Sequence, residues 1–162
     1  NVPGTVRMSG LEFDYKQALT FLPPWARGLQ VFANASALRA TGDDSADFAG
    51  FVPRTYNWGL SLTRPRYNIR LNVSFRAAQR LNEVTGVGIE PETYNYTPSR
   101  NTVDVLGEYT IWRRIAVFGN LRNVGDVPNN GTTVGPTTPY HTRLRTSQRY
   151  GSLWTFGLKG TY

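Results

Sequence analysis

Cysteine is absent from this 162-residue chain, which removes disulfides, zinc–thiolate centres and thiol nucleophiles. Lysine is scarce: Lys16 and Lys159 are the two, and arginine supplies the other basic residues behind a formal net charge of +7. The single histidine, His141, has no second imidazole or thiol to complete a metal site or a catalytic dyad. No run approaches the roughly 18 consecutive apolar residues of a membrane-spanning helix. A mean hydropathy of −0.40 would ordinarily mark a soluble protein. That inference fails for a β-barrel, where only alternate residues of each strand meet lipid. A leader pattern is missing as well, and the chain opens on Asn1, so either a leader has been removed or a larger chain precedes it. The length suits one domain with a packed core.

Long helical patterns are also missing. In their place stand about seven segments of period two, the period of a strand with different surroundings on its two faces. In the clearest, Ile69, Leu71, Val73, Phe75 and Ala77 oppose Arg70, Asn72, Ser74 and Arg76. Just before it, Tyr56, Trp58, Leu60 and Leu62 oppose Asn57, Gly59, Ser61 and Thr63. Val103, Val105, Gly107 and Tyr109 oppose Asp104, Leu106 and Glu108, and Ile115, Val117, Gly119 and Leu121 oppose Ala116, Phe118, Asn120 and Arg122. Near the start, Leu11, Phe13 and Tyr15 oppose Glu12, Asp14 and Lys16; upstream of Gly10 the alternation is lost, and a bulge is the expected reason. The weakest segment is Leu29 to Leu38, where Phe32 and Leu38 interrupt the polar set. At the carboxyl end, Trp154, Phe156, Leu158, Gly160 and Tyr162 alternate with Thr155, Gly157, Lys159 and Thr161.

Within these segments the apolar face carries no charge. Lipid would demand this, since Arg or Lys at the bilayer midplane costs about 2–4 kcal/mol. A soluble core would demand it too. The connections discriminate better. Leu22 to Gly28, Thr63 to Tyr67 and Thr110 to Arg114 are compact and set an aromatic residue beside arginine. They alternate with long polar connections over 41–52, 80–101 and 124–148. In an up-and-down barrel, alternate connections share an end, and short turns opposite long loops are the outer-membrane pattern. Trp25, Tyr67, Trp112 and Tyr162 then gather at the turn end, at the depth where rings are buried and polar tips reach water. Seven strands ending at the turn end must begin at the loop end, whereas single-chain bacterial barrels have even strand numbers with both termini on one side. The expectation is an all-β, antiparallel up-and-down meander that is part of a larger transmembrane β-barrel.

The residues expected to face lipid are Trp58, Leu60, Ile69, Leu71, Val73, Phe75, Val105, Val117, Phe156 and Leu158. Those expected to face a wet lumen are Glu12, Asp14, Arg70, Asn72, Arg76, Asp104, Glu108 and Lys159, with opposite charges paired across neighbouring strands. Trp154, Phe156 and Tyr162 form the expected assembly signal of a closing strand. No catalytic, cofactor-binding or metal-binding residue is assigned, and an enzyme is not expected. Asp43, Asp44 and Asp47 lack the glycine and glutamate spacing of a calcium loop. Gly86-Val87-Gly88 lacks the third glycine of a dinucleotide fingerprint and reads as a flexible loop. A nucleic-acid partner is not expected either, because arginines and aromatics fall on opposite strand faces. Tyr94, Tyr96, Tyr140, Arg143 and Arg145 are loop positions able to touch a ligand.

Taken in order, these residues resemble the TonB-dependent outer-membrane receptors. Gly10-Leu11-Glu12-Phe13-Asp14-Tyr15 resembles a recurrent strand opening of that family, and Leu22-Pro23 to Gly28-Leu29 the periplasmic turn after it. Val52-Pro53-Arg54-Thr55-Tyr56-Asn57 is similar to a loop-to-strand passage, Leu121-Arg122-Asn123-Val124 to the penultimate strand, and the ending on Tyr162 to the family's terminal aromatic. The resemblance implies a 22-stranded barrel of which residues 1–162 form the carboxyl-terminal segment, with plug domain, TonB box and earlier strands absent. It implies uptake of a scarce bulky nutrient (siderophore, cobalamin or glycan) across the outer membrane of a Gram-negative-type bacterium. The implied partners are outer-membrane lipid, the rest of the barrel and plug of the same parent chain, TonB acting through that plug, and the barrel-assembly machinery. A small stand-alone outer-membrane barrel (porin, adhesin or enzyme) and a soluble ligand-binding barrel are the alternatives.

Overall fold

The computed structural model describes residues 5–42 and 49–160. Asp43, Asp44, Asp47 and Tyr162 lie outside the described residues. Seven strands form one antiparallel sheet: β1 (Val6–Ala18), β2 (Leu29–Gly42), β3 (Arg54–Thr63), β4 (Tyr67–Arg76), β7 (Arg100–Trp112), β8 (Ile115–Arg122) and β11 (Leu153–Gly160). Their spatial order follows their chain order, so the sheet is an up-and-down meander, as expected. Four short strands, β5 (Gln79–Glu83), β6 (Tyr94–Thr97), β9 (Asn129–Val134) and β10 (Leu144–Gln148), form a second antiparallel sheet in the order β10-β9-β6-β5.

The second sheet corrects the reading of 80–101 and 124–148 as plain loops. Its strands are four to six residues long and rich in Asn, Thr and Gln, as in Tyr94-Asn95-Tyr96-Thr97 and Asn129-Asn130-Gly131-Thr132-Thr133-Val134, so any period-two signal is too short to stand out. The bulge expected before Gly10 is also corrected, since β1 pairs with β2 in unbroken register from Val6↔Gly42 to Ala18↔Gln30. The alternation fades there because Ser9 and Arg7 occupy the face that carries Leu11, Phe13 and Tyr15 further along. The register shift of the large sheet lies between Thr110 and Trp112, at the two-residue turn Arg113-Arg114.

Phe32 interrupts the polar pattern of β2 for a packing reason. It pairs across the strands with Gly59, and a Cβ on that glycine would lie 2.6 Å from the Phe32 ring tip and collide with the Leu71 carbonyl. The ring thus fills the room the glycine leaves, and the Arg70 guanidinium covers it at 4.3 Å from the ring centroid. Phe118 likewise covers Gly157, its directly paired neighbour.

The compact turns are tied together. Gly28 takes φ +88°, a conformation open to glycine without strain, and its carbonyl accepts the Thr63 N–H at 3.0 Å. The Arg64 guanidinium donates to the carbonyls of Pro24 and Trp25 at 2.8 and 2.7 Å, joining the β1–β2 turn to the β3–β4 turn.

A packed core, expected from length, does not form. Among the described residues the buried apolar side chains are Ala26 and Ala116. The main contacts between elements run between hydrogen-bonded neighbours, and neither sheet lies over the other.

Candidate functional site

The candidate surface is the seven-stranded sheet itself, and pairing register determines what each face carries. Ala33↔Trp58, Trp58↔Val73, Val73↔Val103 and, one row on, Leu60↔Leu71, Leu71↔Val105, Val105↔Leu121 and Leu121↔Trp154 link apolar residues from strand to strand. Directly paired residues share a face. Trp58, Leu60, Ile69, Leu71, Val73, Phe75, Val105, Val117, Phe156 and Leu158 therefore lie on one face, together with Trp154. The face is uncovered: Trp58 is 50% exposed, Phe156 64% and Leu158 75%. Trp25 and Trp112 stand exposed at the compact turns.

The apolar band crosses the sheet on a slope. Its centre on β1 is Phe13, which connects through Ala35 and Tyr56 to Phe75 on β4. Its centre on β11 is Phe156, which connects through Gly119 and Gly107 to Ile69 on the same strand. Six residues of drift over the six steps between seven strands is one residue per step. With a rise of about 3.3 Å per residue and a strand spacing of about 4.8 Å, the strands tilt about 35° from the band's normal. On β4 the apolar set from Tyr67 to Phe75 then covers about 22 Å along that normal.

Gly107 and Gly119 are direct partners in the middle of this face, and no atom would approach a Cβ on Gly107 within 4 Å. The missing side chains leave an open apolar depression of about 610 Å³, bordered by Ile69, Tyr109, Val117 and Phe156.

On the opposite face, register gathers Glu12, Asp14, Arg70, Asn72, Arg76, Asp104, Glu108 and Lys159. Pairing of opposite charges across neighbouring strands is corrected in detail. Lys159 Nζ reaches Glu108 Oε2 at 3.3 Å, but β8 runs between their strands. Arg76 donates to Gln79, and Asp104 Oδ1 accepts the Asn123 backbone N–H at 2.8 Å. Asn72 Nδ2 donates to Ser74 Oγ at 3.0 Å, and that hydroxyl donates to Asn57 Oδ1 at 3.1 Å. A cavity of about 370 Å³ opens on this face between Arg70, Glu108, Asn120 and Lys159.

At the loop end, sequence reasoning missed a hub. Asn123 takes φ 52°, its Oδ1 accepts the Val127 N–H at 3.0 Å, and its Nδ2 donates to the carbonyls of Val127 and Gly151 at 3.2 and 3.3 Å. Asparagine tolerates the left-handed conformation and bonds locally, so its place directly after β8 was the available signal. Of the loop residues, Tyr94 and Tyr96 lie on β6 and Arg145 on β10 of the small sheet, where Arg145 donates to Asn95 Oδ1 at 3.2 Å and the Arg80 guanidinium stacks on the Tyr94 ring. Tyr96 and Arg145 line a polar cavity of about 170 Å³ with Asn130. Arg143 and Tyr140 stack elsewhere, guanidinium to ring centroid 5.8 Å. His141 is exposed, and no cluster of three metal-ligating residues occurs among the described residues.

No family model and no curated protein matches the sequence. The fold does have a counterpart. The crystal structure of ferric citrate transporter FecA in the unliganded form superposes with a TM-score of 0.70 over 96% of this chain, at 14% sequence identity. The likeness shows the fold. This chain spans 24% of that protein's length, so the sheet is similar to part of a transporter's barrel.

Proposed function

We propose that this chain is the carboxyl-terminal part of the barrel wall of a TonB-dependent uptake receptor in the outer membrane of a Gram-negative-type bacterium. The observation that carries the reading is the uncovered apolar face, free of charge across a band about 22 Å high. Transmembrane barrels have an apolar belt of about 25 Å and strands tilted about 35–45°. Trp58, Leu71, Phe156 and their row mates meet outer-membrane lipid. Arg70, Asn72, Asp104 and Lys159 line the wet interior, where a plug from the same parent chain would sit and couple to TonB. Trp154 and Phe156 stand on β11, and together with Tyr162 they are the aromatic residues that the barrel-assembly machinery reads. The sheet and loops supply wall and extracellular surface rather than catalysis, and the cargo is a scarce, bulky nutrient. The FecA likeness supports a transport-related barrel.

The lack of native cysteine permits a direct test. In intact membranes, Asn72→Cys should react with a water-soluble, membrane-impermeant maleimide, while Leu71→Cys should resist it and react with a lipid-dissolved one. Interchanged reactivities would refute the assignment of faces.

A further inference from the structure

Every Asp and Glu on the seven strands, Glu12, Asp14, Asp104 and Glu108, lies on the polar face, as do Lys16, Arg70, Arg76, Arg100, Arg122 and Lys159. Three charges remain, and all are on the apolar face. Register places Arg39 opposite Ser9, Arg7 opposite Thr41, and Arg54 opposite Ala37. The arginines therefore stand on β1, β2 and β3 as successive diagonal neighbours, about 7–8 Å apart. All three are exposed. None has an ion-pair or hydrogen-bond partner for its guanidinium among the described residues, whose ion pairs are Arg149–Asp126 and Lys159–Glu108. Corrected for the slope of the band, they lie level to within about 5 Å at the loop end, Arg39 next to Ala37, Arg54 next to Tyr56, and Arg7 beyond Ser9 and Leu11 on their shared face.

A row of like charges that close together repels itself unless an anion sits against it. The row borders a lipid-facing surface on one side and the long loops on the other. Guanidinium forks match phosphate oxygens bidentately, and the aliphatic stems lie along apolar surface while the heads reach outward. On this basis, which rests on the membrane reading above, we propose that Arg7, Arg39 and Arg54 form a binding surface for the phosphate-bearing headgroups of lipids in the leaflet beside the long loops. The phosphates would bridge neighbouring arginines and fix the height of the wall in the bilayer.

The test compares the full chain with R7Q/R39Q/R54Q in an uncharged detergent doped with diphosphoryl lipid A or with the same glycolipid stripped of phosphate. Bound lipid is read by native mass spectrometry and by the shift in thermal unfolding. The chain should prefer the phosphorylated lipid, and the triple variant should bind it on the order of a hundredfold more weakly. R70Q/R76Q, on the other face, should bind normally. Equal binding by the triple variant, no preference for phosphate, or an equal thermal shift from inorganic phosphate alone would overturn the proposal. So would destabilisation of the triple variant in lipid-free detergent with unchanged lipid binding, since the arginines would then serve the fold. Release of the wild-type chain from membranes by salt would instead defeat the membrane reading itself.

Discussion

Two glycines on opposite faces show how differently one residue type is constrained in this sheet. Gly59 lies under the Phe32 ring and against the Leu71 carbonyl, so a methyl group there must displace backbone. Gly107 faces open space within the apolar band. Gly59→Ala should cost about 1–3 kcal/mol, as overpacking does, and Gly107→Ala should stay within about 0.5 kcal/mol of the parent. Urea unfolding of refolded protein in detergent would measure both. Asn123 supplies a second contrast. Asn123→Ala removes three side-chain hydrogen bonds and strains a left-handed residue, for an expected loss of about 1–3 kcal/mol. Asn123→Gly restores the backbone conformation alone and should recover part of that loss. Protease cleavage after Arg143, Arg145 and Arg149 would report how far the loop is released.

At the scale of strands, the two faces of the large sheet were legible because one side is uniformly apolar and the other polar, so a period of two survives in the sequence. Pairing register sets Trp58, Leu71 and Phe156 on one face and Arg70 and Asp104 on the other. Phe32 and Leu38 obscured β2 because they answer glycines on adjacent strands, and such a pair is visible only once register is known. The small sheet was illegible for a different reason. Its polar strands are held by hydrogen bonds such as Thr133 Oγ1 to Asn95 Oδ1 at 2.8 Å, which require no alternation. The Arg7–Arg39–Arg54 row was equally hidden, since its members are far apart in the chain and only β1–β2–β3 pairing brings them together.

For the whole molecule, the central fact is a sheet without a second layer. Among the described residues the buried apolar side chains are two alanines, which cannot supply the burial that ordinarily offsets chain entropy; on the membrane reading proposed above, lipid covers the apolar face. The expected behaviour is that sodium carbonate or high salt leaves the chain with the membrane fraction, whereas a mild detergent extracts it. Recovery in the carbonate supernatant would contradict that expectation. Circular dichroism in water should likewise show loss of strand signal that micelles restore.

The one-residue drift per strand also bears on what can adjoin the free margins of β1 and β11. A newcomer beside either margin must follow that slope, and since directly paired residues share a face it can pair level or two positions along, never one. A strand displaced by a single position, or by two in the opposite direction, would set polar side chains against the apolar band. The two margins are therefore keyed like staggered teeth, and they reject misaligned neighbours by height as well as by sequence.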